Sequence, residues 1–206
     1  MLTLYTATGT CALASHIALE DAGAEYRIVR LGFASGDQRK PDYLAVNPKG
    51  RVPSLATGRG VLTETPAILA YIAQSFPRAE LAPLADAFAF AEVQAFTSYL
   101  CSTVHVAHAH RMRGHRWTDD AATQAALKAF VPKSMGDAFA LIEQGLLRGP
   151  WVMGEAYTIC DPYLFTLARW LEGDGVDLST MPRVMAHRQR MEGRPAVQRV
   201  LATEAG

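Results

Sequence analysis

Apolar positions follow two different patterns in the two parts of this chain. Over roughly the first 75 residues, short apolar runs alternate with stretches of helical spacing, which predicts strands and helices in turn. A polar, Gly-containing stretch from Leu31 to Arg39 predicts a loop, and Gly23 predicts a left-handed helix cap. The predicted strands are Leu2–Tyr5, Tyr26–Val29, Ser54–Ala56 and Val61–Thr63, and the predicted helices are Cys11–Ala22, Thr65–Gln74 and one or two turns over Pro41–Val46.

Beyond Phe76-Pro77 only helical periodicity remains. The predicted helices are Ala85 to about Arg111, Asp119 to about Leu147, Thr158–Leu171, Pro182–Met191 and Pro195–Leu201. The core face of the first is assigned to Phe88, Val93, Phe96, Tyr99, Leu100 and Val104. The Pro-containing stretch 76–83 predicts a domain boundary, with an α/β domain over residues 1–76 and an all-helical domain over residues 84–206.

Composition excludes several classes of partner. The chain has 206 residues, half of them apolar, and its 20 Lys and Arg residues balance 20 Asp and Glu residues. This balance leaves no basic surface typical of nucleic-acid or acidic-membrane binding, and no apolar run is long enough to span a membrane. The chain starts as a strand, so no signal peptide is expected. Three widely spaced cysteines predict no disulfide framework and favour a reducing cytoplasm.

Cys11 is the first candidate for chemistry, because it stands where a strand turns into a helix. The unpaired N–H groups and positive dipole end of a helix start favour thiolate over thiol, which predicts a nucleophilic sulfur. The alternative is a small buried residue that packs helix against sheet. Two motifs downstream favour the reactive interpretation.

The first of these motifs runs from Asn47 to Leu55 and contains Lys49 and Val52-Pro53. A cis bond before Pro53 would turn the main-chain groups of Val52 outward, where an extended peptide could pair with them as an added strand. The alternative is an ordinary trans turn before an edge strand.

The second motif is Glu64-Thr65 at the start of a helix. Thr65 is expected to cap this helix, and its hydroxyl with the first free N–H groups could bind a carboxylate. Glu64 could accept a hydrogen bond from a ligand ammonium group. A plain helix cap is the alternative.

Three further features are weighed for chemistry. Thr158 to Asp161 predicts a capping box in which Asp161 accepts from the Thr158 N–H, with Cys160 packed inside. His105 and His108 share a helix face, but no further ligand completes a metal set, so no metal is expected. Arg111, Arg113 and Arg116 predict either a solvated helix end or a rim for an anionic substrate.

Taken together, these motifs resemble the cytosolic glutathione transferase family over essentially the whole chain. Cys11 with the following Leu13 to Leu19, and Phe165 to Trp170, look most like the bacterial beta class. The resemblance implies a thioredoxin-like N-terminal domain followed by an all-α domain. It also implies glutathione as cosubstrate, without a metal, and a homodimer.

The same resemblance implies roles for individual residues. Cys11 would face the glutathione sulfur, with His105 near it. Val52, before cis-Pro53, would pair with the cysteinyl unit, and Glu64 and Thr65 would hold the γ-glutamyl end. The remaining positions are Lys49 and Ser98 at the glutathione site and Trp170 in the second-substrate pocket.

The chain departs from the class pattern at Ala12, Ser98 and Val106, where the class usually has Ser, Asn and Lys. These changes weaken the polar contacts expected around the sulfur.

The leading hypothesis is conjugation of glutathione to small electrophiles. One alternative is a glutathione-dependent thiol–disulfide reductase or peroxidase that uses Cys11 on a disulfide substrate. The other is a non-catalytic binding module on the same fold.

Overall fold

The structure, a computed structural model, describes residues 1–205 and contains one four-stranded sheet. The strands are β1 (Leu2–Thr6), β2 (Tyr26–Arg30), β3 (Ser54–Thr57) and β4 (Gly60–Thr63), in the order β2-β1-β3-β4. β1 pairs with β2 in parallel, through Leu4 opposite Ile28, and with β3 antiparallel, through Leu4 opposite Leu55. The helices of this part are α1 (Ala12–Asp21), α2 (Pro41–Val46) and α3 (Thr65–Ser75). The predicted thioredoxin-like α/β architecture is confirmed.

Helix α1 lies in the centre of the molecule. Every residue from Ala12 to Leu19 is buried, because α1 packs against α3 on one side and against the helical part of the chain on the other. An isolated amphipathic helix would leave one face in water, so burial all round reflects this position between two layers. The helix begins one residue after Cys11, and Gly23 follows it with the expected positive φ of 61°.

The C-terminal part is all helical, as predicted. Its helices are α4 (Ala87–Tyr99), α5 (His105–Arg113), α6 (Ala121–Leu141), α7 (Cys160–Ala168), α8 (Pro182–Glu192) and α9 (Pro195–Ala205). Helices α7 and α9 both pack on α1, which joins the two parts of the chain. The division at residues 76–83 lies between α3 and α4 and stays a prediction.

The long helix predicted from Ala85 is interrupted. A π-helical turn, Leu100–Val104, separates α4 from α5 and turns Leu100 and Val104 into the core. Phe88 does not belong to the core face, since 76% of its surface is exposed. It stands five residues before Val93, about 140° away around the helix axis, so the two side chains point to different sides.

The start of α7 confirms the predicted capping box. The Thr158 N–H donates to Asp161 Oδ2 at 2.7 Å, and Cys160 is fully buried with its Sγ 3.6 Å from the Val93 oxygen. Asp161 also accepts from the Val152 N–H and pairs with the buried His187, whose contribution the sequence did not predict. The helix itself, Cys160–Ala168, is shorter than the predicted Thr158–Leu171.

Candidate active site

Cys11 lies at the start of α1 beside the loop that enters β3. Its side chain is 7% exposed, and its Sγ donates to the Val52 carbonyl oxygen at 3.5 Å. The Val52–Pro53 peptide bond is cis, which is the alternative that the family resemblance implied. Two segments 41 residues apart in sequence therefore meet at one sulfur atom.

The ionisation of Cys11 differs from the sequence prediction. Burial raises the pKa of the Cys11 thiol to about 11, although the Thr65 hydroxyl and the Arg113 guanidinium act in the opposite direction. This direction is opposite to the one that the helix start alone predicts, because desolvation of the charged form opposes the helix dipole. At neutral pH the group is a thiol, which donates a hydrogen bond.

The turn before α3 carries the second part of the site. Glu64 occupies the N-cap position with φ 73°, a region that side-chain-bearing residues rarely adopt. Lys49 Nζ donates to Glu64 Oε1 at 2.6 Å and to Thr63 Oγ1 at 2.9 Å. This geometry places the Lys49 ammonium group beside the Glu64 carboxylate.

Thr65 is not the cap of α3, which corrects the sequence prediction. It is the first residue of the helix, its side chain is 4% exposed, and its hydroxyl faces Cys11 and Tyr163 instead of the helix end. Within residues 1–205 no side chain caps α3. Main-chain N–H groups at this helix start are consequently available to an anion.

Trp170 connects the helical part to the turn before Cys11. Its Nε1 donates to the Gly9 carbonyl oxygen at 3.3 Å. The ring stacks on His108, with 4.1 Å between centroids and 22° between planes, and meets the edge of His105 at 5.2 Å. Trp170 and His105 therefore belong to one aromatic cluster at the mouth of the candidate site.

His105 is neutral at physiological pH. Burial, followed by the charge of Arg113, lowers its pKa to about 4. Within the described chain no hydrogen bond joins His105 to Cys11, and Ser98 is exposed on α4 with no hydrogen bond from its side chain. Val52 and Thr65 therefore both lie beside Cys11, whereas Ser98 makes no contact with this group through a hydrogen bond.

Three residues of the site were missed from the sequence. Asp174 is buried and pairs with His108 Nδ1 at 2.7 Å and with Arg111 at 3.4 Å, which makes Arg111 more than a solvated helix end. Cys101 lies in the π-helical turn, and the fully buried Tyr163 faces it from α7. Cys101 and Tyr163 have no sequence signal, since each stands in an ordinary apolar helical pattern.

Residues 1–205 contain neither a metal-holding cluster nor a membrane-spanning helix. That range contains no group of three or more His, Cys, Asp or Glu side chains arranged to hold a metal ion. Within the same range no helix combines the length and apolar character that crossing a bilayer requires.

Comparisons with known proteins agree with this geometry. Residues 1–74 match the glutathione S-transferase N-terminal domain, and residues 107–204 match a glutathione S-transferase C-terminal domain. Glutathione S-transferase GstA of Escherichia coli is 32% identical, with 98% of each chain covered.

Two solved structures extend the comparison. A glutathione transferase homologue from Sulfitobacter, solved with bound glutathione, shares 45% identity at a TM-score of 0.95, with 98% of each chain covered. The bacterial beta-class glutathione S-transferase of Sphingomonas chungbukensis shares 31% identity at a TM-score of 0.85, again with 98% of each chain covered. With a thioredoxin-like domain, a helical domain and these matches along nearly its whole length, the chain belongs to the glutathione S-transferase family and is a glutathione transferase similar to the bacterial beta class.

Proposed function

We propose that this protein conjugates glutathione to small electrophiles, with the Cys11 thiol as a hydrogen-bond donor to the glutathione sulfur. The observation that carries the proposal is the hydrogen bond from Cys11 Sγ to the Val52 oxygen. A protonated thiol already donates at this position, and an ionised glutathione sulfur is a better acceptor than a carbonyl group. Donation to that sulfur favours the thiolate, which is the form that attacks an electrophile.

The surrounding residues support binding of the rest of the glutathione molecule. The Val52 main chain would pair with the cysteinyl unit. The carboxylate of the γ-glutamyl end would accept from the N–H groups at the start of α3, and its ammonium would donate to Glu64, which Lys49 holds in place. His105 would assist at the sulfur as a neutral group, and Trp170 would line the second-substrate pocket.

Replacing Cys11 in two ways tests the proposal. Cys11→Ser keeps a donor and should retain conjugation with a standard aromatic electrophile within a few-fold, whereas Cys11→Ala should lose roughly tenfold to a hundredfold in kcat/KM. Equal loss in both variants would contradict the donor role. Absence of glutathione binding to the wild type, measured by calorimetry, would contradict the function as a whole.

A second candidate is glutathione-dependent disulfide reduction, favoured by the placement of Cys101 near Cys11. The charge of an ionised Cys101 would raise the pKa of Cys11, which places the two sulfur atoms in electrostatic reach of each other. Burial, followed by the charge of Glu64, raises the pKa of Cys101. Here the Cys11 thiolate would attack a glutathione disulfide, form a mixed disulfide and release one glutathione thiolate. Intact mass spectrometry would then show an added mass of about 305 Da on wild type, absent from Cys11→Ser and lost on reduction. No adduct would exclude this route.

We also propose a homodimer that works in the cytoplasm. Phe88 on α4 is 76% exposed and Val61 on β4 is 42% exposed, and a large aromatic side chain in water favours burial against a second copy. Three free cysteines fit a reducing compartment. Light scattering should give twice the chain mass for wild type and a smaller mass for Phe88→Glu.

A further inference from the structure

A histidine–carboxylate pair joins α5 to the turn that follows α7. The side chain of Asp174, in that turn, is fully buried, and one of its oxygens lies 2.7 Å from His108 Nδ1 on α5. Its other oxygen lies 3.4 Å from the Arg111 guanidinium. An ionised carboxylate can only accept a hydrogen bond, so His108 Nδ1 carries the proton of this pair. Asp174 therefore fixes both the tautomer and the orientation of the imidazole ring.

The second ring nitrogen of His108 is free. Within residues 1–205 no hydrogen bond reaches Nε2, and this nitrogen is not closed off from water, since the side chain is 18% exposed. The other such pair that the structure describes, His187 with Asp161, has both side chains fully buried. The buried pair can serve only the fold, whereas His108 keeps one nitrogen available to a molecule from outside.

Trp170 connects His108 to the turn before Cys11. The indole ring stacks on His108, with 4.1 Å between centroids, and its N–H donates to the oxygen of Gly9, two residues before Cys11. The carbonyl oxygen of Trp170 also accepts from the N–H of Asp174 at 2.9 Å, so one turn carries both the stacking ring and the carboxylate. The imidazole is thus held one ring away from the turn that leads into the sulfur site.

His105, the other histidine of this aromatic cluster, is not equipped in the same way. Its ring meets Trp170 at 5.2 Å, but burial, followed by the charge of Arg113, lowers its pKa to about 4. It therefore carries no positive charge near neutral pH. In the described part of the chain, His108 is the member of the cluster that has a carboxylate to compensate such a charge.

We propose that His108 is a catalytic acid for second substrates whose reaction with glutathione leaves negative charge on an oxygen atom, and that Asp174 is its positioning residue. The substrate class this names is the α,β-unsaturated carbonyl compounds. The inference rests on the proposed function, because it requires conjugation of glutathione in the pocket that Trp170 lines.

The chemistry of this class explains the need for an acid. The glutathione thiolate attacks the β-carbon, and a carbon–sulfur bond forms. The electron pair of the carbon–carbon double bond shifts toward the carbonyl group, whose oxygen becomes an enolate and takes the proton from His108 Nε2. Asp174 compensates the positive charge of the doubly protonated ring before the transfer. The glutathione thiol releases one proton to water when it ionises and His108 recovers one from water, so protons balance and no oxidant or reductant is needed.

A ratio of two catalytic efficiencies tests the proposal: kcat/KM for cyclohexenone divided by kcat/KM for chlorodinitrobenzene. The second reaction needs no acid, because chloride leaves as a stable anion. His108→Asn keeps an amide N–H close to the position from which Nδ1 donates to Asp174 but has no acid in place of Nε2. The ratio should fall about a hundredfold, as for the loss of a general acid. A change in pocket shape affects both reactions and largely cancels in the ratio.

Asp174→Asn provides a second test, since it keeps the size of the side chain and removes its charge. It should lower the same ratio by a smaller factor than His108→Asn. Nitrogen NMR of histidine-labelled wild type, without any ligand, should show the His108 proton on Nδ1. A neutral ring protonated on Nε2 alone would overturn the positioning role of Asp174.

His110→Asn is the matched control. His110 stands on α5 about 200° around the helix axis from His108 and packs against Trp117, with 4.4 Å between ring centroids. It should keep the wild-type ratio. An unchanged ratio in His108→Asn, or an equal fall in His110→Asn, would overturn the proposal while the wild type still conjugates chlorodinitrobenzene. A wild type inactive on both electrophiles would instead overturn the proposed function, and this role with it.

Discussion

The thiol of Cys11 donates to the main-chain oxygen of Val52, with 3.5 Å between sulfur and oxygen. The donor is a side chain at the start of α1, and the acceptor belongs to the loop that enters β3. This bond requires the proton, so it stabilises the thiol over the thiolate. Burial acts in the same direction and raises the pKa of Cys11 to about 11.

The first prediction is a pH profile for this thiol. Alkylation of Cys11 in the absence of glutathione should be slow near neutral pH and should still be accelerating at about pH 9.5, because only the thiolate reacts. Peptide mass spectrometry after timed iodoacetamide exposure measures the rate. A plateau reached near pH 7 would show that the thiolate is stabilised in a way that the structure does not contain.

The second prediction concerns Glu64. Glu64→Gln removes the charge that pairs with Lys49, and both side chains are about half exposed, so the free energy of unfolding should change by less than about 1 kcal/mol. Glutathione affinity, measured by calorimetry, should fall roughly tenfold or more, because a ligand ammonium loses its charged acceptor. Glu80→Gln is the matched control, as Glu80 is another exposed glutamate with positive φ. Equal glutathione affinity in the wild type, Glu64→Gln and Glu80→Gln would show that Glu64 does not bind glutathione.

The third prediction tests the contact between the two parts of the chain. Trp170→Phe loses the hydrogen bond to the Gly9 oxygen and part of the stacking on His108, so unfolding free energy should drop by roughly 1–2 kcal/mol. Urea denaturation provides the measurement. Trp117→Phe, at a site 47% exposed, should change stability by less than about 0.5 kcal/mol. A similar loss in both variants would mean that the Gly9 contact contributes nothing specific.

The fourth prediction concerns Asp161, which is fully buried and accepts from Thr158, Val152 and His187. Asp161→Ala leaves these donors unpaired and should lower the free energy of unfolding by roughly 3–5 kcal/mol. The comparison is Asp86→Ala, which removes an exposed cap of α4 and should lower it by only about 1 kcal/mol. A comparable loss of unfolding free energy in the two variants would show that burial of the Asp161 hydrogen bonds adds nothing to stability.

The fifth prediction is acid lability from buried histidine. Burial lowers the pKa of His16 to about 4, below the value near 6.5 of an unfolded chain. The unfolded state therefore binds the proton more readily, and the stability contributed by neutral His16, present above about pH 6.5, is lost as the pH falls toward about 4.

Denaturation at several pH values measures this dependence. His16→Gln should flatten the stability profile over that window by at most about 1.4 kcal/mol per pH unit, whereas His115→Gln, on an exposed turn, should keep the wild-type slope. Parallel profiles for wild type and His16→Gln would contradict the prediction.

Local patterns sufficed for much of the architecture. Alternation and helical spacing predicted each strand and most helices to within a few residues, and the capping box at Thr158 was readable because its two partners are three residues apart. The division between an α/β part and a helical part follows from the same periodicity. Phe88 shows where this fails, because assigning a face to a helix end requires knowing which neighbour it meets.

The chemical candidates were partly readable as well. Cys11, Val52-Pro53 and Glu64-Thr65 stood out because each combines a distinctive residue with a turn or helix start. The sequence did not reveal that Cys11 is a protonated thiol, since a pKa depends on desolvation by residues distant along the chain.

Residue types in local patterns thus determined the elements, the family resemblance and the candidate residues of the glutathione site. Only the tertiary structure decided the raised pKa of Cys11, the pairing of Asp174 with His108 across 66 residues, and the buried pairing of Asp161 with His187. The physical reason is that burial and long-range contacts arise when segments distant along the chain pack together, as α3 and α7 do against α1. No spacing within one segment encodes them.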